Sequence, residues 1–139
     1  MAEKTDYHEA QVTDRIFANS APDGAVDGCY VMLWSTTPTN SPTASNELSG
    51  DSYAAVQVTA SGWSTDQAND DRIYSTDSII DFGKLDTGTS KTVEGIVLYD
   101  GSDAGTDNAL YADTDFGSET VAAGDKFEIE AGNLTVQEG

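Results

Sequence analysis

Cys29-Tyr30-Val31-Met32-Leu33-Trp34-Ser35 is the stretch on which the fold class turns. Six apolar residues follow one another with neither helical nor alternating spacing, so the run reads as a strand covered on both faces. Its Cys29 is the lone cysteine of the chain and cannot form an intrachain disulfide. A small hydrophobe in the interior is the expected role. Trp34 is expected to pack in the core, as is Tyr99 in the second strong strand, Thr92 to Tyr99.

Working outward from this run, the chain reads as strands and turns. Upstream, residues 6–19 carry the helical pattern. Thr5 or Asp6 is placed to cap it, and Val12, Ile16 and Phe17 form a narrow apolar stripe. Ser20-Ala21-Pro22-Asp23-Gly24 ends it. Downstream, 36–52 is a long polar loop and 53–59 a half-exposed strand. Residues 60–71 read as another polar loop, carrying Trp63. Short strands are expected at 72–74, 78–82 and 109–111. Val121, the turn Gly124-Asp125 and Phe127 to Ile129 read as a hairpin, followed by Leu134 to Val136 after a Gly132-Asn133 turn. About eight short strands at near-regular spacing predict an all-β, antiparallel β-sandwich or jelly roll with a short N-terminal helix. The expected organisation is an N-terminal helical arm over 1–20 and a β-sandwich domain over 21–139. No strand–helix alternation is present to suggest a parallel α/β sheet.

Charge is the strongest compositional signal. Six basic residues stand against 25 acidic ones, a net charge of −19. Two like charges 10 Å apart cost roughly 0.4 kcal/mol in water. Summed over such a surplus, the repulsion rivals a domain's net stability of about 5–15 kcal/mol. At molar salt the Debye length is about 3 Å, and most of the repulsion is screened. The composition therefore predicts a protein built for brine. The basic residues are scattered and form no patch, which argues against nucleic acid and against an anionic membrane as partners. A hydrophobic content of 37% with two Trp argues against disorder. Met1 to Asp6 is polar, without a signal-peptide core, and no apolar run is long enough to span a bilayer. Synthesis in a cytoplasm is the expectation, the protein either staying there or leaving inside an assembled particle.

An enzyme is not expected. His8 is the single histidine, so any Ser-His-Asp or Cys-His arrangement would have to use it. Its position near the start of the chain suggests a solvated surface role. One His and one Cys do not make a usual zinc set, no glycine-rich phosphate loop is present, and no cofactor is implied. With so many carboxylates, no glycosidase-like pair stands out. Asp100, Asp103 and Asp107 share one turn and are weak candidates for a hard cation, as are Asp66, Asp70 and Asp71 in another. Neither follows the EF-hand pattern. Asn133-Leu134-Thr135 is a glycosylation triplet in a tight turn. Phe17 and Trp63, the latter in a polar loop, are the candidate partner-contact residues.

The order of these features resembles a family of small virion structural proteins of tailed phages, described as tail-fibre or capsid-decoration proteins. The resemblance runs from about residue 7 to 136. It is carried by Tyr30-Val31-Met32-Leu33-Trp34-Ser35-Thr36-Thr37-Pro38 and by Glu47-Leu48-Ser49-Gly50-Asp51-Ser52-Tyr53-Ala54. Trp63, Ile80-Asp81-Phe82, Val93 to Asp100, Asn108 to Tyr111 and Val121 to Val136 continue it. Ala55 stands where the family usually has Arg. The resemblance implies a jelly-roll-like virion subunit without catalytic residues. With the charge, it suggests a haloarchaeal tailed virus. A capsid-surface decoration or turret subunit is the first expectation, a trimer or pentamer on the major capsid protein or other virion proteins. The second is a tail-tip or fibre module reading host surface glycan or S-layer through Trp63 and the 36–52 loop.

Overall fold

The computed structural model describes the backbone of residues 2–9, 28–68 and 71–138. Among them are strands β1 (Glu3–Lys4), β2 (Cys29–Trp34), β3 (Val56–Val58), β4 (Trp63–Ala68), β5 (Asp71–Thr76) and β6 (Ile80–Lys84). They continue with β7 (Lys91–Val93), β8 (Gly95–Tyr99), β9 (Ala109–Asp113), β10 (Glu119–Val121), β11 (Lys126–Ile129) and β12 (Thr135–Glu138). All pairings between these described strands are antiparallel, and four of them are nested. β8 pairs with β9, β7 with β10, β6 with β11 and β5 with β12. The chain runs out along one strand of a long ribbon and back along the other, and the ribbon folds over on itself. The fold is the all-β antiparallel sandwich that the strand spacing predicted.

β2 lies inside a five-stranded sheet of order β1-β9-β8-β2-β3. Successive side chains of a strand point to opposite faces, and here both faces are covered. Cys29, Val31 and Leu33 of β2, with Ile96 and Leu98 of β8, join Ile80, Phe82, Phe127, Ile129 and Val136 in the main core. Met32, Trp34, Val97, Tyr99 and Ala112 form a second cluster on the opposite face, with Ala104 and Ala44 from the loops. The Trp34 and Tyr99 rings stack at 5.8 Å between centroids. Each large side chain so buried contributes roughly 1.5–3 kcal/mol. The unbroken apolar run at 29–34 thus follows from burial on both faces, against a sheet on one and loops on the other.

Two glycines allow close approach by being absent side chains, Gly95 beneath the loop leaving β2 and Gly28 against β3. A Cβ on Gly95 would lie 2.2 Å from Cδ of Pro38, so the loop leaving β2 can press on β8 at that point. Gly28 enters β2 at φ +78°, where its backbone also meets the Val58 carbonyl too closely for any side chain. Polar groups finish the attachment. The Leu48 N–H donates to the Leu33 carbonyl at 2.7 Å. The Leu33 N–H donates to the Tyr53 hydroxyl, which donates in turn to Glu47, both at 3.0 Å.

The structure departs from the sequence reading in four places. Residues 63–68, expected as a loop, form strand β4, which pairs with β5 from Trp63↔Thr76 to Ala68↔Asp71. The expected 121/127–129 hairpin is absent. β10 and β11 separate around Gly124 and pair with β7 and β6 instead. Strand 92–99 breaks at Glu94, whose N–H donates to the Trp34 carbonyl at 2.8 Å. Residues 2–4, placed in a helical arm, belong to the β fold. Ala2 is fully buried beside Val136, and Glu3 and Lys4 pair with Ala112 and Tyr111. The helix is seen at residues 6–9, with Thr5 capping it as expected through the His8 N–H at 3.3 Å. The remainder of the predicted helix, including Val12, Ile16 and Phe17, lies outside the described residues. Finally, no helix among the described residues is long and apolar enough to cross a membrane.

Candidate contact surfaces

One candidate surface is the loop-covered side of the five-stranded sheet. The Asp6 N–H donates to the Asn40 carbonyl at 3.1 Å, and the Ser41 hydroxyl donates to the Asp6 carboxylate. The Thr5 hydroxyl, buried, donates to the Ala109 carbonyl. These bonds tie the chain start, the 36–52 loop and β9 together around a cavity of about 230 Å³. Tyr7, Asn40, Pro42, Tyr99, Asp107 and Asn108 are among the residues that line it. Burial pushes the Tyr99 phenol up to about 12, with the Glu47 carboxylate adding to the shift.

The three carboxylates singled out in the sequence meet in the turn between β8 and β9, but each serves the turn itself. Asp100 accepts the Asn108 N–H at 2.7 Å and its side-chain amide at 3.0 Å. Asp103 accepts the Gly105 N–H at 2.8 Å, and Asp107 accepts the Asp103 N–H at 2.8 Å. Such local bonds are what Asp does in turns. No group of three or more His, Cys, Asp or Glu positioned to hold a metal ion occurs among the described residues. The Asp66, Asp70 and Asp71 side chains lie outside the described residues.

Trp63 sits elsewhere, at a second cavity of about 230 Å³ lined mainly by apolar atoms. His8, Cys29, Tyr74 and Tyr111 line the same space. Trp63 is half-buried against the main core rather than projecting from a loop. His8, expected on the open surface, is half-buried with its ring 4.9 Å from that of Tyr111. Burial pushes the Cys29 thiol up to about 12, which keeps it protonated and unreactive at neutral pH. Trp63 and the 36–52 loop, which the sequence reading grouped as one contact surface, therefore line separate cavities.

A third cluster closes the far loops. Asp86 accepts N–H groups of Gly88 and Thr89 at 2.9 and 2.8 Å and lies 3.5 Å from the Lys91 ammonium. Asp51 accepts the Thr87 N–H at 2.9 Å and the Thr87 hydroxyl. Hydrogen bonds from Thr87 hold the Asp51 carboxyl below its ordinary range, and those from Gly88 and Thr89 act likewise on Asp86. Glu47 runs the other way: burial raises its carboxyl despite the Tyr53 bond.

The motifs quoted above are therefore contacts of one frame. Pro38 meets Gly95, Glu47 meets Tyr53, and Tyr53 reaches β2. The model of one family, described as podophage GP4 fiber I protein gp80, matches residues 3–137. The chain belongs to this family. The gp80 family is one of phage fibre proteins, structural components of the virion, and the match covers the described residues that line both cavities. No curated protein matches the chain. Sequence reasoning missed Tyr99 as a cavity-lining residue of the gp80 chain, whereas Asn40 falls within the 36–52 loop that it singled out. Tyr99 lies in an apolar run and reads as core, which most of its ring is. Nothing in the spacing links position 40 with position 107.

Proposed function

We propose that this chain is a fibre subunit of a tailed-phage virion, working by contact rather than catalysis, with the loop-covered side of the central sheet turned to the host surface. The observation that carries this reading is the family match over residues 3–137. The family's description as a fibre protein supports this reading at least as well as that of a capsid-surface decoration or turret subunit. The host-facing role is supported by the anchoring of the long 36–52 loop onto a rigid sheet, the usual way a fold presents a recognition surface. Assembly as a trimer or pentamer with other virion proteins is part of the proposal. So is a salt-rich habitat such as that of a haloarchaeal virus, which the net charge of −19 supports.

Antibody labelling of intact particles tests the position. Label on the tail or its fibres is the expected result, and label spread over the shell would return the decoration reading. Light scattering of the purified protein in molar salt measures the copy number, for which a single chain would contradict the assembly.

A further inference from the structure

We propose that the cavity between residues 39–42 and 104–109 binds one neutral sugar ring of a surface glycan. The inference rests on the fibre reading and names what that surface would take. Tyr99 is 2% exposed, with its ring stacked on Trp34. Its hydroxyl has no hydrogen-bond partner among the described residues. The side-chain polar atoms found both fully buried and unpartnered are Trp34 Nε1 and Thr76 Oγ1. The Tyr99 hydroxyl is therefore not sealed in the core, and the open space it meets is the cavity it lines. A phenol held this way by its buried ring is a fixed donor and acceptor.

Further groups converge on the same space. Asp107 uses Oδ2 for the Asp103 N–H and leaves Oδ1 free. Asn108 is fixed by two bonds to Asp100 and keeps its side-chain oxygen. The Asn40 side chain makes no bond among the described residues. Pro42, Ala104 and Ala109 supply apolar surface for the C–H face of a ring. Acceptors, amides and a phenol around a small apolar patch match a polyhydroxylated ring, and their anchoring in turns reduces the ordering cost of binding. The Asp107 carboxylate and the surrounding charge disfavour an anion. The volume, about 230 Å³, lies below the roughly 300–1,000 Å³ of sites for drug-sized ligands and limits the occupant to one ring.

Saturation-transfer NMR of the full chain in molar salt, against free hexoses and N-acetylhexosamines, reads the binding. Glucuronate serves as the anionic control. The expected result is transfer from at least one neutral sugar, none from glucuronate, and a loss of affinity of about tenfold or more in Tyr99→Phe and in Asp107→Asn. Asn40→Ala, on an exposed loop, provides a third variant should either of those fail to fold. No transfer from any neutral sugar, or equal transfer in folded variants, would overturn the site. Tail label on particles without sugar binding would sink this site alone. Sugar binding with shell label would keep the site and remove the fibre reading.

Discussion

Pro38 occupies the space that a side chain at position 95 would need. The Gly95→Ala Cβ would approach Cδ of the ring to 2.2 Å, and overpacking of this kind costs about 1–3 kcal/mol. Thermal melting of Gly95→Ala should show that loss, and Pro38→Ala in the same chain should restore part of it. A second residue-scale prediction concerns Glu47. Burial raises its folded carboxyl above the ordinary 4.5, so the folded state holds this proton more tightly than the unfolded chain. Stability tied to Glu47 is complete below its unfolded pKa and is lost as pH rises through the raised folded value. Glu47→Gln keeps an acceptor for Tyr53 without the buried charge. It should match or exceed the parent in urea midpoint at pH 7, with the advantage gone below about pH 4. Asp51, Asp81 and Asp86 titrate in the opposite sense, their carboxyls being lowered by hydrogen bonds from Thr87, Gly83 and Gly88 respectively. Their contribution is present above the ordinary 3.8 and lost as pH falls through their folded values. Acid unfolding below pH 3.8 should therefore report these three, separately from Glu47.

The elements follow two different logics. β2 and β8 are legible because burial on both faces demands apolar residues at every position. β4 was illegible because Ser64, Thr65 and Asp66 offer no apolar alternation. Its strand state comes from the hydrogen-bond ladder with β5, not from a hydrophobic face. β1 is two residues long and carries no pattern at all, yet it closes an edge of the five-stranded sheet and seats Ala2 in the main core. A chain lacking residues 1–5 should consequently melt earlier than the parent, contrary to a detachable arm over 1–20. Ala2→Asp, which puts a carboxylate in that core, should cost on the order of 3 kcal/mol by denaturant titration. Unchanged stability in both would show that β1 contributes nothing to the fold. Likewise, the turn at Gly124 was recognisable as a turn, but a hairpin and a crossing between ribbon layers share the same turn residues. Which one forms depends on strands more than 25 residues earlier, from Lys91↔Val121 onward.

For the molecule as a unit, the surplus of acid is the dominant electrostatic fact. Six cations cannot neutralise 25 anions, and ion pairs such as Lys126–Asp81 at 3.3 Å are exposed and weak. Raising salt from 0.05 M to 2 M should increase the melting temperature steeply, and circular dichroism at low salt should show loss of the β signal. Equal melting at both concentrations would refute a surface adapted to brine. The amino-acid sequence by itself determined the strand-rich class, the two-faced burial of residues 29–34 and the electrostatic character. These depend on residue type and on periods of a few positions, which are local quantities. Only the tertiary structure decided the nested pairing of β5 to β12, the burial of Ala2 and the meeting of residues 5, 40, 99 and 107 around one cavity. Those depend on which distant segments share a layer, and that choice is made by complementary packing across the folded ribbon rather than by any signal along the chain.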